Sequence, residues 1–562
     1  MNILGISCFY HDAAAALICD GRLVAAAEEE RFTRKKHDAG FPSRATRYCL
    51  SEAGISASDL DYIGFYEKPM LKFQRAMHTF QATFPKASSA FVERTPRLLH
   101  EELQIADIIR DELGTSAEIL FLEHHLSHAA SAFLVSPFDE AAILTVDGVG
   151  EWATTCLGHG SGNSIQLFQE IHYPHSLGLL YSAITAFLGF KVNNDEYKVM
   201  GLASYGEPSR VDDFRKLITI HDDGSYTLNM DYFAFHYSTE RPYSEKLVEL
   251  LGEPRAAEGP VEARHQEIAA SLQAVLEEAL LKIFEHLRER TGSGNICLAG
   301  GVALNGVANW RVFKRSGFDE IYIQPASSDS GGALGAAVFI SNAVLGAPRN
   351  GVMESALLGP QFSNEDVEAF LQGVGAQYRH LDEEDLIDET ARLIHEGAIV
   401  GWFQGRMEYG PRALGCRSIL ANPCDPAMKD LLNARVKFRE EFRPFAPAVL
   451  EEKASDYFEI DRPAPFMLLV PQVKDGKAGE IPSVTHVDQS ARVQTVSERI
   501  NPRFHRLIGA FERLSGVPVV INTSFNVRGE PIVCTPREAY NCFSHTDIDY
   551  LVMNDFLVEK DF

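Results

Sequence analysis

The sequence predicts an α/β protein whose first 345 residues are an internal duplication, followed by a second α/β unit. Three observations predict it. Two β-meanders of the same grammar begin about 140 residues apart, each leads into helical periodicity, and a Gly/Pro-rich break is followed by a reversal of local charge.

The first meander reads as a strand (Ile3 to Ser7), a turn (Cys8 to Asp12), a strand (Ala14 to Cys19), an Asp20-Gly21 hairpin and a strand (Leu23 to Ala27). The second runs Ala141 to Val146, ends in Asp147-Gly148, and continues through Trp152 to Gly158, a Ser161-Gly162-Asn163 hairpin and Ile165 to Ile171. Helical spacing is expected over Ser43 to Ala53, Leu99 to Leu113 and Glu262 to Arg290. Two meander-plus-helix halves describe a duplicated, actin-like (ASKHA) nucleotide-binding architecture, with a cleft where the first strands end in polar turns. Phe73, Phe80, Phe84 and Phe91 are expected to pack in the core; the alternative is an insert that shapes a binding pocket.

Gly346 to Phe362 marks the boundary, so the expected organisation is 1–345, a linker over 346–362, and 363–562. Beyond it a helix (Asn364 to Leu371), a second helix (Glu384 to Glu396) and a strand (Ile399 to Phe403) lead into arginine-rich loops. Gly401 to Leu450 holds eight Lys/Arg against five Asp/Glu within a chain of formal charge −26, which points to an anion site.

The composition excludes several classes. With 45% hydrophobic and 23% charged residues over 562, the chain is globular rather than disordered. The strong negative charge opposes nucleic-acid binding. Nine scattered cysteines without a C-x-x-C pair indicate a reducing compartment. Without a signal sequence or an apolar run of about 18 residues, a cytoplasmic protein that does not enter the membrane is expected. No Walker A loop and no G-x-G-x-x-G at a strand-to-helix junction occurs, so any ATP must be held by other loops.

His124 and His128 in EHHLSHAASAF stand at i and i+4, on one helix face. Asp147 ends an apolar strand and Asp329 starts a helix; two His and two carboxylates suit Fe(II), Zn(II) or Mn(II), with iron or zinc favoured by the imidazoles. Gly300, Gly301 and Asn305 follow a short strand (Asn295 to Leu298), where paired glycines and a helix N-terminus could admit a nucleotide. Lys198, Gly201 and Gly206 read as a second glycine-bearing loop whose cation could meet a phosphate. His11, at the end of the first strand and the counterpart of Asp147, is a candidate general base for a hydroxyl nucleophile. In the second unit Arg406, Arg412, Arg417, Arg439 and Arg443 offer guanidinium forks for phosphate and carbamoyl oxygens, Lys437 a point charge. His486, Arg492, Asn522, Ser524 and Asn526 complete this set, the last three on a loop able to hold an oxyanion.

EEERFTRKKHDAGFP, HHLSHAASAF, EYKVMGLASYG, LAGGVALN, GPRALGCRSILA, FRPFAPA and NTSFNVRGEPIV, in this order, resemble the O-carbamoyltransferases of the NodU and CmcH type, which include nodulation-factor and antibiotic-biosynthesis enzymes. That resemblance implies an actin-like N-terminal domain similar to the tRNA threonylcarbamoyladenosine transfer subunit and a YrdC-like C-terminal domain. It further implies that the C-terminal domain makes carbamoyl-adenylate from carbamoyl phosphate, ATP and Mg²⁺, and that the N-terminal domain transfers the carbamoyl group to a hydroxyl of a small-molecule acceptor. Carried over by motif, Arg412, Lys437, Arg443, Arg492, Ser524 and Asn526 would handle carbamoyl phosphate and ATP. His124, His128, Asp147 and Asp329 would hold one divalent metal, commonly iron, beside an adenylate lined by Gly148, Lys198, Gly201, Gly300, Gly301 and Asn305, and His11 would serve the transfer. Cys416 departs from the pattern, where Asn or a similar polar residue is expected. A monomer or homodimer is equally compatible. The competing readings are a small-molecule kinase or ATP-driven amidohydrolase on the actin-like fold, which leaves the basic C-terminal loops unused, and a tRNA-binding relative, which the charge opposes.

Overall fold

Short apolar runs and tight turns produce the expected meanders. A computed structural model describes residues 1–440 and 442–560. In it β1 (Asn2–Ser7), β2 (Ala14–Cys19) and β3 (Arg22–Glu28) form antiparallel hairpins, with Leu4 opposite Leu17. β4 (Tyr62–Phe65) and β5 (Glu118–Phe121) add in parallel on the other side of β1, giving the order β3-β2-β1-β4-β5. The second half repeats this. β6 (Glu140–Val146), β7 (Ala153–Ser161) and β8 (Ser164–His172) form the meander. After a small ribbon of β9 (Ile218–Ile220) and β10 (Tyr226–Leu228), β11 (Asn295–Ala299) and β12 (Glu320–Ile323) complete a sheet of order β8-β7-β6-β11-β12. Identical strand order and sense in both sheets is the duplication expressed as topology, and makes this unit actin-like.

The helices of this unit that matter here are α1 (Ser43–Glu52), α2 (Pro69–Thr83), α3 (Ser88–His100), α4 (Ile105–Leu113), α5 (His124–Phe133), α6 (Leu177–Phe187), α7 (Glu196–Ala203), α8 (Ala263–Thr291), α9 (Gly306–Ser316) and α10 (Asp329–Phe339). The helix expected over Leu99 to Leu113 is two, broken by a 3₁₀ turn at Glu102–Gln104. There Glu102 is pulled to Lys72, 3.3 Å away, a tertiary contact that outweighs local propensity. α10 is wedged between β1 and α5 at two glycines. A Cβ on Gly5 would lie 1.8 Å from the Ala333 carbonyl oxygen, and one on Gly335 would lie 1.8 Å from that of Ser127. This close approach fixes where the first residue of α10, Asp329, projects.

The chain folds as two units, one of Met1–Glu29 with His37–Met353, the other of Glu30–Lys36 with the chain from Glu354 on. The short segment joins the second unit through two arginines: buried Arg31 donates from Nη2 to the Gly410 carbonyl at 2.6 Å, and half-buried Arg34 to those of Pro531 and Ile532, both at 2.7 Å. The second unit contains α11 (Asn364–Gly373), α12 (Glu383–His395), α13 (Pro502–Ser515) and α14 (Pro536–Ser544). Its sheet comprises β13 (Tyr378–His380), β14 (Val400–Phe403), β15 (Arg417–Ala421), β16 (Ala446–Leu450), β17 (Gln494–Val496), β18 (Val519–Ser524), β19 (Tyr550–Met553) and β20 (Phe556–Glu559). Their order is β13-β20-β19-β14-β15-β18-β16-β17. All nine cysteines are free, and among the described residues no helix is long and apolar enough to cross a membrane.

Candidate active site

In the first unit, helical spacing on α5 and the wedge of α10 bring four ligand-type side chains together. Nε2 of His124 and Nε2 of His128 lie 3.0 Å apart. Asp147 Oδ2 is 3.1 Å from the first and 4.0 Å from the second, and Asp329 Oδ1 is 3.7 and 3.8 Å from them. All four residues are buried. Gly150 makes room for the His124 side chain, whose Cβ a Cβ there would meet at 2.9 Å and whose ring at 3.0 Å. Glu151 anchors the start of α5 by accepting the His124 backbone N–H at 3.0 Å.

This set fits a metal ion. Ligand atoms about 2.0–2.2 Å from a tetrahedral centre lie about 3.4 Å apart, and the spacings here bracket that value. Asp329 Oδ1 is buried without a hydrogen-bond partner, and two imidazole nitrogens facing each other leave a lone pair aimed inward. Electrostatics carry the same signature of crowding. Burial and the Asp147 charge push the Asp329 carboxyl up to about 6. Burial alone would depress His124, yet Asp147 and Asp329 raise it to about 9, while burial and the neighbouring His124 hold His128 well below its ordinary value.

His11 stands beside this cluster, its Nε2 4.0 Å from Asp329 Oδ2. Its Nδ1 is 3.1 Å from Asp12 Oδ2, and Asp12 Oδ1 is 2.7 Å from His37 Nδ1, whose Nε2 meets Asn194 Oδ1 at 2.8 Å. Against burial, Asp329 and Asp12 raise His11 well above 6.5, and hydrogen bonds from His11 and His37 keep Asp12 ionised. A cation among the four ligands would take up the same Asp329 charge. Asp12 and His37 escaped the sequence reading. Only the adjacency of Asp12 to His11 hinted at the pair, since His37 arrives from 25 residues away.

The candidate adenylate residues divide. Gly148 adjoins Asp147 and accepts from Ser176 Oγ at 2.7 Å. Gly300 has φ +92° and sits where a Cβ would strike the Val146 carbonyl, and the Gly301 N–H donates to Asp147 Oδ1 at 2.8 Å, so this turn holds Asp147 in place. Asn305 caps α9 and exchanges amide hydrogen bonds with Gln273 at 3.0 and 3.2 Å. Lys198 and Gly201 lie on α7 instead of in a loop, and buried Lys198 pairs with Asp195 at 3.1 Å; only Gly206 follows the helix, packed on the Gln266 backbone. The apolar face of EYKVMGLA, buried through Val199, Met200 and Leu202, explains the helix.

In the second unit topology collects the basic loops. β15 runs antiparallel to β18, β18 antiparallel to β16, and β16 parallel to β17. The starts of β15, β16 and β17 and the end of β18 therefore share one sheet edge. Arg412 lies just before β15, Arg443 before β16, Arg492 before β17, and Ser524 ends β18. Asn522 and Ser524 are strand residues, so the loop begins later than expected, and Asn526 stands in it. Lys437 Nζ donates to the Ser524 carbonyl, to the Asn526 carbonyl at 2.9 Å and to Asn526 Oδ1 at 3.1 Å. His486 is held neutral down to about 4 by burial and the nearby Arg492 charge. Arg406 and Arg417 serve the loops themselves, donating to the Leu358 and Gln404 carbonyls, both at 2.7 Å, and Arg439 bonds Asn433 Oδ1 at 2.8 Å. Glu408, buried and unassigned from the sequence, accepts the backbone N–H of Leu414, Cys416 and Arg417 at 2.7, 2.8 and 3.2 Å. Cys416 contributes a backbone N–H to that clamp, which any non-proline residue supplies.

Comparison with known proteins agrees with this division. The family model described as carbamoyltransferase N-terminus matches residues 2–338, and that described as carbamoyltransferase C-terminus matches 391–560. An uncharacterized protein of Synechocystis sp. is 48% identical over 100% of this chain and 97% of its own length. Nodulation protein NolNO of Sinorhizobium fredii is 40% identical over 98% and 79%, and nodulation protein NolO of Bradyrhizobium diazoefficiens 40% over 78% and 79%. Among solved structures, component A of the Acidaminococcus fermentans (R)-2-hydroxyglutaryl-CoA dehydratase aligns with 60% of this chain and 97% of its own at 14% identity and TM-score 0.32. T. kodakarensis HypF aligns with 61% and 48% at 17% identity and TM-score 0.32. Matched by both family models and similar to NolNO along nearly its whole length, this protein is an enzyme of the carbamoyltransferase family.

Proposed function

We propose that this carbamoyltransferase is ATP-dependent, that residues 363–562 form carbamoyl-adenylate, and that residues 1–345 pass its carbamoyl group to a hydroxyl of a small-molecule acceptor. The observation that carries the reading is the gathering of Arg412, Arg443, Arg492, Lys437 and Ser524 at one sheet edge, because two polyanionic substrates require several fixed cations. The activation balances as carbamoyl phosphate, ATP and water giving carbamoyl-adenylate, phosphate and pyrophosphate, with Mg²⁺ accompanying the nucleotide.

In the transfer, the acceptor oxygen attacks the carbamoyl carbon, the bond to the adenylate oxygen breaks, and AMP leaves. Asp12, itself braced by His37, accepts from His11 Nδ1–H and so presents the Nε2 lone pair to take the hydroxyl proton. His124, His128, Asp147 and Asp329 would hold a divalent ion, iron by the family resemblance, which supplies Lewis acidity toward the carbamoyl or phosphate oxygens. Gly301 N–H and Glu151 fix two of these residues in position. The test is pyrophosphate release by the full chain with ATP and Mg²⁺. It should require carbamoyl phosphate and fall at least about a hundredfold in Arg412→Ala; release independent of carbamoyl phosphate contradicts the reading.

A further inference from the structure

The hairpin of α2 and α3 lies against the turn that carries His11. Arg97 Nη2 donates to the Phe9 carbonyl at 2.6 Å, and Lys72 Nζ is 5.5 Å from the Tyr10 ring, itself 4.6 Å from the His11 ring. Core packing does not explain its aromatics: Phe84 is 76% exposed, Phe91 43%, and Phe73 and Phe80 are only partly covered. Its charge is distinctive. Residues 68–100 contain six Lys/Arg (Lys68, Lys72, Arg75, Lys86, Arg94, Arg97) and one acid, Glu93; Lys68, Lys72 and Arg97 pair with Glu123, Glu67 and Glu101 outside that stretch.

Within this hairpin Lys72 is satisfied, 2.9 Å from Glu67 and 3.3 Å from Glu102, which engages both nearby carboxylates. One turn on, Arg75 is not. Its guanidinium lies 5.0 Å over the Tyr173 ring, its Nε is sealed from solvent without a hydrogen-bond partner, and it makes no ion pair among the described residues. Burial lowers its pKa, a cost that a bound anion would reverse. His78 on α2 contacts Trp152 at 5.5 Å between ring centroids. Tyr173 and Trp152 belong to the second half of the duplication and Tyr10 and His11 to the first. Arg75 thus meets Tyr173 of the second half, while its own helix meets Tyr10, the neighbour of His11, through Lys72 one turn earlier.

Resting on the transfer reading above, we propose that the acceptor carries an anionic group, a carboxylate, sulfate or phosphate, which Arg75 holds over Tyr173 while the acceptor hydroxyl reaches His11. A guanidinium with unfilled donors on an aromatic face recognises such oxyanions bidentately, and discriminates against a neutral analogue that leaves it unpaired.

The test has two arms. Crystals of the full chain soaked in selenate, a tetrahedral oxyanion with an anomalous signal, should show a peak within hydrogen-bond distance of the Arg75 guanidinium. Occupancy of the basic loops of the second unit with none at Arg75 overturns the proposal. In the second arm, matched pairs (galacturonate with galactose, glucose 6-sulfate and glucose 6-phosphate with glucose) are incubated with enzyme, carbamoyl phosphate and ATP, and carbamoylated product is counted by mass spectrometry. An anionic member should be preferred by about ten- to a hundredfold, with the preference lost in Arg75→Met and partly restored in Arg75→Lys. Equal use of neutral members, or a preference that survives in Arg75→Met, overturns it. Pyrophosphate release by the wild-type chain, read alongside, separates the two ideas: without it the adenylation reading fails, and the selenate map still decides Arg75.

Discussion

Replacing Glu408 by alanine should destabilise the second unit and, on the function proposed above, raise its KM for carbamoyl phosphate. The carboxylate is fully buried and its Oε1 accepts three backbone N–H groups from the segment that follows Arg412. Each buried donor left unsatisfied costs about 1–3 kcal/mol. Partial relaxation and the length of the third bond bring the sum to about 3–5 kcal/mol, or roughly 6–20 °C in the unfolding temperature of a unit of this size. Glu408→Gln keeps one carbonyl acceptor but buries an amide where Oε2 has no partner, so an intermediate loss of about 2–3 kcal/mol is expected. Differential scanning calorimetry on the full chain reads the stability, and the KM for carbamoyl phosphate in pyrophosphate release reads the loop. An unfolding temperature within about 2 °C of wild type together with an unchanged KM would refute the clamp.

Three further outcomes follow from the geometry. Treatment with a strong chelator, followed by its removal and addition of Mg²⁺, should strip one divalent ion per chain and abolish transfer while pyrophosphate release persists, and His128→Ala should be purified without the ion, as elemental analysis will show; loss of both half-reactions would contradict the assignment. Asp12→Asn should lower the transfer rate about ten- to a hundredfold and His11→Asn about 10²- to 10⁴-fold, each measured as carbamoylated product at saturating substrates. His486 is neutral in the folded chain down to about 4, whereas an unfolded histidine accepts a proton near 6.5. Unfolding therefore takes up a proton between those values, and stability rises with pH across that window. The second unit should lose about 2–3 kcal/mol from this group between pH 7 and 4.5, a loss that His486→Gln removes in paired calorimetric scans.

The parts of this molecule that local patterns encode were legible in its sequence. Apolar runs punctuated by the Asp20-Gly21 and Ser161-Gly162-Asn163 turns marked both meanders, and Leu4 pairs with Leu17 as Leu144 does with Leu157. The four-residue spacing of His124 and His128 placed both on one face of a real helix. What was not legible depends on partners distant in the chain. Lys72 breaks a helix at Glu102, His37 braces Asp12, and Glu408 clamps a loop through backbone groups that carry no side-chain signal. The phenylalanines of the α2–α3 hairpin look like core residues by composition, and only the fold reveals that Phe84 and Phe91 are exposed and Phe73 and Phe80 partly covered. Lys198 was misplaced because the glycines around it suggested a loop, where the apolar face of α7 imposes a helix.

The most direct test of the two-step account is mass spectrometry of the His11→Asn variant given carbamoyl phosphate, ATP and Mg²⁺ without acceptor. The account predicts that carbamoyl-adenylate accumulates with pyrophosphate and phosphate, and that Arg412→Ala forms none. Absence of the adenylate from His11→Asn and wild type alike, with both substrates intact, would contradict it.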